Sequence, residues 1–412
     1  MKIPQLLQRT ISSPALAASS YRKLIHAFDF FNLDYKFASG YSFPPKSVCL
    51  ILTEKCNLKC AMCDIGRLNT APAQGGTSPL VKSIRNGDEN LSLDDWRILI
   101  HDLSRFSPKP LILLTGTEPF MYPGILNIIE TVVEKKLSLH ITTNGTLLTR
   151  YARKLVELCE SSAGVDMTVS LDDIDEAHDR IRGVTGTFNR AIEGIRAVVN
   201  AREEARRIFP LINITCTISS YNYERLEAFA DWFMEHKIPI ESITFNHLWF
   251  KDSDQVALHT QLFGEQASVA EVNAGGVDRS AIDMAAVYRQ LQNIKKKYAA
   301  TSLRIHQEPE LSPQDALLYY QEPCSFIFYD RCTAAWRNIS ITPKGNLILS
   351  PLCFLPALGN IKRTSFRSLW NSESLRAVRR QLKKARAYPV CSRCCMLFGS
   401  KPKFYKIKNW LS

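Results

Sequence analysis

Between residues 47 and 247, short apolar runs alternate with stretches whose apolar residues recur at helical spacing. The runs are Ser47 to Leu52, Leu111 to Thr115, Leu139 to Thr143, Asp166 to Leu171, Ile212 to Ile218 and Ser242 to Asn246. Each reads as a strand. The first intervening helix opens with Ser92-Leu-Asp-Asp95, a capping box, ahead of Trp96, Leu99, Ile100 and Leu103 on one face. Six strand–helix units in series predict an α/β fold with parallel strands. The right-handed crossover rule makes a closed or partly closed barrel the natural way to join them. In such a barrel, function gathers at the C-terminal ends of the strands.

Outside this stretch the pattern weakens. Residues 1–46 hold two short amphipathic patches, one of them Tyr21 to Phe31. Residues 64–91, rich in Gly, Pro, Asn and Ser, read as a long loop, and 250–280 read as irregular. A helix is predicted over Ala281 to Tyr298 and a short strand over Leu303 to Ile305. From about residue 320 the composition changes, and six of the twelve cysteines fall between 324 and 395. The predicted organisation is an extension (1–46), a barrel (47–315), a cysteine-rich domain (316–400) and a basic aromatic tail (401–412).

The 412 residues are 45% hydrophobic and 22% charged, which suits a globular chain and excludes disorder as the main state. The net charge of +12 is not spread evenly. From residue 356 onward, 14 Lys and Arg face one acid, Glu373, so the first 355 residues carry only −1. No apolar run approaches the roughly 18 residues of a membrane span. Gln8, Arg9 and Pro14 interrupt any secretory core, so a cytoplasmic location is expected. In a reducing compartment, twelve cysteines point to metal binding rather than disulfides.

The first cluster, Cys56-Asn-Leu-Lys-Cys60-Ala-Met-Cys63, directly follows the first strand. A cubane iron–sulfur cluster takes four thiolates, so three leave one iron open to a ligand that is not protein. A zinc site and simple packing are the bland readings. The next strands end in Thr115-Gly116-Thr117-Glu118-Pro119, Thr142-Thr143-Asn144-Gly145 and Ser170-Leu-Asp-Asp173. The last is followed by His178-Asp-Arg-Ile-Arg182-Gly183, and the fifth strand continues as Thr217-Ile-Ser-Ser-Tyr-Asn222. Any one of these is an ordinary turn. In this order, at successive strand ends, the set resembles the radical S-adenosylmethionine (SAM) enzymes, with Thr117 and Asp173 where the family usually has Gly. The resemblance implies a partial (β/α)6 barrel in which Cys56, Cys60 and Cys63 hold a 4Fe–4S cluster and SAM chelates its open iron. It implies that Gly116 and Glu118 face the SAM amino group, and Ser170 and Arg182 its carboxylate or ribose. Met62 stands where the family often has an aromatic residue near the adenine. A reductant such as flavodoxin or ferredoxin is the implied electron source.

Downstream, Cys332 and Cys353 flank two short predicted strands around Pro343-Lys-Gly-Asn346. A Gly359-Asn-Ile segment, an amphipathic helix and Cys391-Ser-Arg-Cys394-Cys395 follow. This layout resembles the SPASM type of C-terminal extension, which binds auxiliary iron–sulfur clusters. Six cysteines are too few for its two-cluster form, so one auxiliary 4Fe–4S cluster on Cys332, Cys353, Cys391 and Cys394 is expected. Cys324 and Cys395 are left ambiguous, and a structural zinc is the alternative. Cys49, Cys159 and Cys216 read as buried apolar residues.

The helix from Ser374 to Tyr388 carries Arg376, Arg379, Arg380, Lys383, Lys384 and Arg386, and Lys401 to Ser412 mixes four lysines with three aromatics. A solvated face and a surface for an anionic partner stay open. The partner would be a phospholipid layer, contacted peripherally, or a phosphorylated substrate; no motif supports nucleic acid. No side chain is assigned as a catalytic acid or base. The expectation is hydrogen abstraction from a small-molecule, lipid-linked or saccharide substrate. A peptide maturase is the alternative, weakened because 46 residues are too few for a leader-binding domain. The rival of a different class is a non-catalytic iron–sulfur or zinc protein.

Overall fold

The computed structural model describes residues 33–68, 89–159, 164–264, 271, 277–327, 330–350, 353 and 357–399. Among these, the strands are β1 (Ser47–Leu50), β2 (Leu111–Leu114), β3 (Leu139–Thr143), β4 (Val165–Ser170), β5 (Leu211–Ile218), β6 (Ser242–His247), β7 (Arg304–Glu308), β8 (Asn338–Ile341) and β9 (Leu347–Ile348). They form one sheet in the order 7-6-5-4-3-2-1-8-9. β1 to β8 pair in parallel, and β9 returns antiparallel to β8.

Besides short helices at Leu33–Phe37, Phe366–Trp370 and Cys395–Phe398, the described helices are α1 (Asp64–Leu68), α2 (Leu93–Ser104), α3 (Ile125–Glu134), α4 (Leu148–Leu158), α5 (Asp175–Arg182), α6 (Thr187–Glu204), α7 (Leu226–Glu235), α8 (Ser253–Phe263), α9 (Met284–Lys297), α10 (Pro313–Gln321) and α11 (Glu373–Ala385). Strand alternation sorts the sheet into two faces. Leu139, Ile141, Val165, Met167, Val169, Ile212, Ile214, Ile243 and Phe245 are fully buried in one core with helix residues such as Ile128, Leu155, Ile195 and Phe229. The opposite face is polar and half-buried: Thr142 stands in register with Thr168, Ser170 with Thr215, and Thr217 with Asn246. Burying one face under helices while keeping polar side chains on the other leaves an inner surface that can meet a polar ligand.

The six predicted strands are present within a residue or two of their expected limits, and the Ser92–Asp95 capping box opens α2. Three expectations change. The presumed loop at 64–91 begins with α1, and the presumed irregular 250–280 contains α8, whose buried residues are the polar Gln255 and His259. A helix that turns polar side chains inward leaves no apolar stripe to read. The cysteine-flanked hairpin does not stand apart, because β8 extends the barrel sheet along the free edge of β1. Ser47 there donates to Asn338 Oδ1 at 2.8 Å. The single sheet therefore runs across the expected boundary near 315.

The basic helix α11 is not wholly a solvated face. Arg379 is fully buried, donating to Ala335 O (2.8 Å), Gly40 O (3.1 Å) and Asn371 Oδ1 (2.8 Å), with its guanidinium 4.4 Å from the Trp370 ring centre. It fastens the chain ahead of β1 to the cysteine-rich region. Lys383, Lys384 and Arg386 remain exposed. The Tyr21–Phe31 patch and the 401–412 tail lie outside the described residues. Among the described residues no helix is long and apolar enough to cross a membrane.

Candidate functional site

The cysteine loop leaves the C-terminal end of β1 and is tied to the turns that follow the neighbouring strands. After β2, Thr117 Oγ1 donates to Thr53 O at 2.8 Å, and Glu118 N to Lys55 O at 3.3 Å. After β3, Asn144 Nδ2 donates to Asn57 Oδ1 (2.8 Å), and Asn57 Nδ2 to Thr146 Oγ1 (2.9 Å). After β4, the end of α5 supplies two carbonyls that a helix terminus leaves unpaired: Lys59 N donates to Arg182 O (3.0 Å) and Ala61 N to Ile181 O (2.9 Å). Gly183 closes α5 with φ 69°, and a Cβ there would stand 2.6 Å from Lys59 O, so this close approach requires glycine. Each recurring motif thus holds one part of the cysteine loop.

Cys56, Cys60 and Cys63 lie together at the inner mouth of the sheet. Cys56 and Cys63 pack both against the main core and against a small second cluster of Cys49, Ile51 and Ile65. Burial pushes the Cys56 thiol up to about 12, with the neighbouring Cys60, Glu118 and Cys63 adding to the rise. Burial also raises Cys60, opposed first by Arg182. The thiols must therefore lose protons when iron binds, as metal loading requires. Arg182 is 9% exposed; its Nη1 points at Cys60 Sγ (3.8 Å) and its Nη2 at Asp172 Oδ2 (2.8 Å).

The other expected cofactor residues surround this mouth. Gly116 has φ 101°, and a Cβ would meet the Ile51 side chain at 3.1 Å, so its backbone lies close against β1's continuation. Glu118, 1% exposed, accepts from Thr143 Oγ1 (2.8 Å), Asn144 N (2.8 Å) and Phe120 N (3.1 Å). Those bonds fill three of the roughly four acceptor positions of a carboxylate. Ser170 is half-buried on the polar face, and the buried Arg182 Nε has no hydrogen-bond partner. Met62 is buried in the main core.

Sequence reasoning missed the posts behind these residues. Asp172 lies fully buried between Arg182 and Thr217 N (2.9 Å), Asn222 Nδ2 donates to Asp172 O (2.7 Å), and His178 Nδ1 accepts from Asp172 N (3.1 Å). The only sequence signal for Asp172 was its place inside Ser170–Asp173. Asp173, which stands where the family has Gly, caps Ile174 N (2.8 Å) and pairs with Arg225. His247 lies on the helix-covered face between Tyr320 Oη (3.2 Å) and Gln307 Nε2 (3.0 Å), and burial lowers its pKa to about 3. It is a neutral packing residue.

A model described as the radical SAM superfamily matches residues 50–233, and one described as an iron–sulfur cluster-binding domain, SPASM, matches 332–395. The chain carries a radical SAM domain followed by a SPASM domain. Fe-coproporphyrin III synthase of Methanosarcina barkeri is 33% identical over 220 residues, covering 53% of this chain and 48% of that protein. The subtilosin biosynthesis protein AlbA of Bacillus subtilis is 23% identical over 330 residues, covering 78% of this chain and 58% of AlbA. The chain spans about half the length of the first curated relatives it matches. Streptococcus suis SuiB bound to SAM shares the fold with TM-score 0.54 at 17% identity, over 82% of this chain and 68% of SuiB. A radical SAM domain implies a 4Fe–4S cluster and SAM, and a SPASM domain implies auxiliary iron–sulfur.

The second cysteine group fits the auxiliary role. No disulfide joins any of the twelve cysteines, all of which lie among the described residues. Burial pushes Cys391 well up, and the neighbouring Cys332, Cys394 and Cys353 add to the rise. The thiol of Cys395 bonds to that of Cys394 and, against burial, draws Cys394 down to about 6. Cys324 instead feels Asp252, Asp254 and Arg393. Ser392, between Cys391 and Cys394, accepts from Gln255 Nε2 of α8 at 2.7 Å and donates to Pro323 O, so the turn is anchored on both sides. Cys49, Cys159 and Cys216 are buried within strand or helix packing. Among the described residues, no three His, Cys, Asp or Glu side chains are placed to hold a single metal ion.

Proposed function

We propose that this chain is a SAM-cleaving enzyme whose substrate sits against the polar inner face of the sheet. The observation that carries the reading is the three-thiol loop, fixed at the C-terminal strand ends by three separate turns. Cys56, Cys60 and Cys63 hold a cluster with one open iron; Gly116, Glu118, Ser170 and Arg182 surround the SAM end of the site; Cys332, Cys353, Cys391 and Cys394 hold one auxiliary cluster. Bound there, the cluster and SAM would supply one-electron reductive cleavage of SAM to methionine and a 5′-deoxyadenosyl group able to take a hydrogen atom from the substrate. The chain's own contribution is positional. The half-buried hydroxyl of Ser170 and the unpartnered Nε of Arg182 offer hydrogen bonds to the SAM carboxylate or ribose, and the remaining acceptor position on Glu118 suits an ammonium group. Helices covering the outer face and the half-buried lumen limit access of water.

The half-buried Thr142, Thr168, Thr215, Thr244 and Asn246 favour a substrate with polar groups. That supports a small-molecule, lipid-linked or saccharide substrate over a purely apolar one. The names of similar proteins include two haem-pathway synthases, a GTP 3',8-cyclase, a cofactor-modifying protein, a bacteriocin biosynthesis protein and a killing-factor maturation protein, and a peptide substrate is the second reading. A one-electron donor of flavodoxin or ferredoxin type supplies the reductant. Anaerobic reconstitution followed by incubation with SAM and a strong reductant tests the reaction. The expected result is about eight irons per chain, two cubanes, with 5′-deoxyadenosine formed. Zinc without iron, or no SAM cleavage with iron restored, sinks it.

The cationic C-terminus supports peripheral contact with an anionic lipid surface. Full-length protein is expected to pellet with vesicles of mixed neutral and anionic phospholipid more than a chain ending at Ser400 does. Equal pelleting would remove the last twelve residues from that role.

A further inference from the structure

Lys251 follows β6 and directly precedes the cap of α8. It is 4% exposed, and its Nζ is buried with no hydrogen-bond partner. A bare ammonium removed from water costs several kcal/mol unless an anion offsets it. Among the described residues no carboxylate forms an ion pair with it, although such pairs are close at hand: Asp252, the next residue, is taken by Arg279 at 3.0 Å. The fold brings Lys251 to the auxiliary cysteines. Gln255, one turn along α8, is bonded to Ser392 between Cys391 and Cys394, and both side chains are fully buried. Burial pulls the Lys251 ammonium down, and Cys353, Cys394, Cys391 and Asp64 oppose that pull, in that order. Three of the four are auxiliary ligands. The fourth is the residue after Cys63, so Lys251 stands between the two cysteine groups.

We propose that Lys251 is the fixed counter-charge of the auxiliary cluster, and that it raises the reduction potential of that cluster so that it can exchange electrons with the barrel. The proposal rests on the cluster assignment made under Proposed function. A cubane held by four thiolates is an anion, and taking up one electron adds one more negative charge. A buried cation beside it stabilises the reduced state more than the oxidised one, net charge and burial being among the main determinants of such potentials. No proton need move, and Lys251 acts through the cluster rather than on substrate.

The test is a redox titration of reconstituted full-length protein, followed by electron paramagnetic resonance, in wild type, Lys251→Met and Lys251→Arg. The auxiliary signal is the one that SAM leaves unchanged. Lys251→Met is expected to make reduction of that cluster at least tenfold less favourable, a midpoint about 59 mV more negative for one electron. Lys251→Arg is expected to keep most of the wild-type value, and the SAM-sensitive signal to stay in place. Loss of the auxiliary cluster in Lys251→Met with retention in Lys251→Arg supports the same role through assembly. Two clusters in every protein with one shared midpoint overturns the assignment, as does an equal shift in both variants. A wild type with about four irons and no SAM-insensitive signal overturns the underlying cluster reading, and with it this role.

Discussion

Cys60→Ala is expected to abolish SAM cleavage and to lower the iron content from about eight to about four per chain. Cys60 is the middle of the three thiols, 7% exposed, and the one toward which Arg182 points. On the proposed assignment its loss leaves two protein thiolates on a cluster that has only three; Cys49, which packs with Cys56 and Cys63, is held on a strand and bonded to Ser340 and Thr115. Cys391→Ala is expected to remove the other four irons while the SAM-binding cluster stays. Cys159→Ala, a buried thiol in the helix-covered core, is expected to keep all eight. Iron counting and 5′-deoxyadenosine formation, measured on the three variants side by side, check the assignment. Full iron in Cys60→Ala would falsify the placement of the first cluster.

Asp172→Ala is expected to be the most destabilising single change in the barrel that touches no cysteine, costing about 3–5 kcal/mol. The carboxylate is completely buried and stands 2.8 Å from Arg182, whose guanidinium is 11% exposed at the side chain. Removing it strands a buried positive charge and frees Thr217 N, its other partner. The effect extends to the site, because Arg182 O and Ile181 O bind the backbone of Lys59 and Ala61. Chemical denaturation of the reconstituted protein gives the stability change. Faster loss of iron to a chelator, relative to wild type, reads the coupling to the cysteine loop. An Asp172→Ala protein as stable as wild type, or one that is destabilised but holds iron equally well, would break the link drawn between α5 and the loop.

The two variants also mark where sequence reading ended. The thiols and the strand-end motifs were legible because their spacing is local: residues three or four apart in a loop converge whatever the rest of the chain does. The strands were legible because apolar side chains must alternate with, or be bounded by, polar ones for a sheet to cover a core. Asp172 was visible only as part of a segment. Its importance comes from Arg182, ten residues on, and Thr217, on the next strand, meeting it out of water. Glu118 was expected to face SAM, yet three of its acceptor positions go to the β3 turn and the residue after Pro119, a division of labour that no spacing records.

The sequence by itself determined the order of the first six strands, the spacing of the cysteines in two groups and the concentration of charge after residue 356. Tertiary structure decided what distance along the chain conceals. It placed β8 beside β1, some 290 positions apart, so that the auxiliary region grows from the barrel's own sheet. It turned Arg379 inward from a helix that reads as a basic surface, because the carbonyls of Gly40 and Ala335 needed a donor. It also set Lys251, from a segment without any apolar pattern, among thiols more than a hundred residues later. Local periodicity reports which face of an element avoids water. Burial of polar and charged groups is decided by the partners that the finished fold supplies.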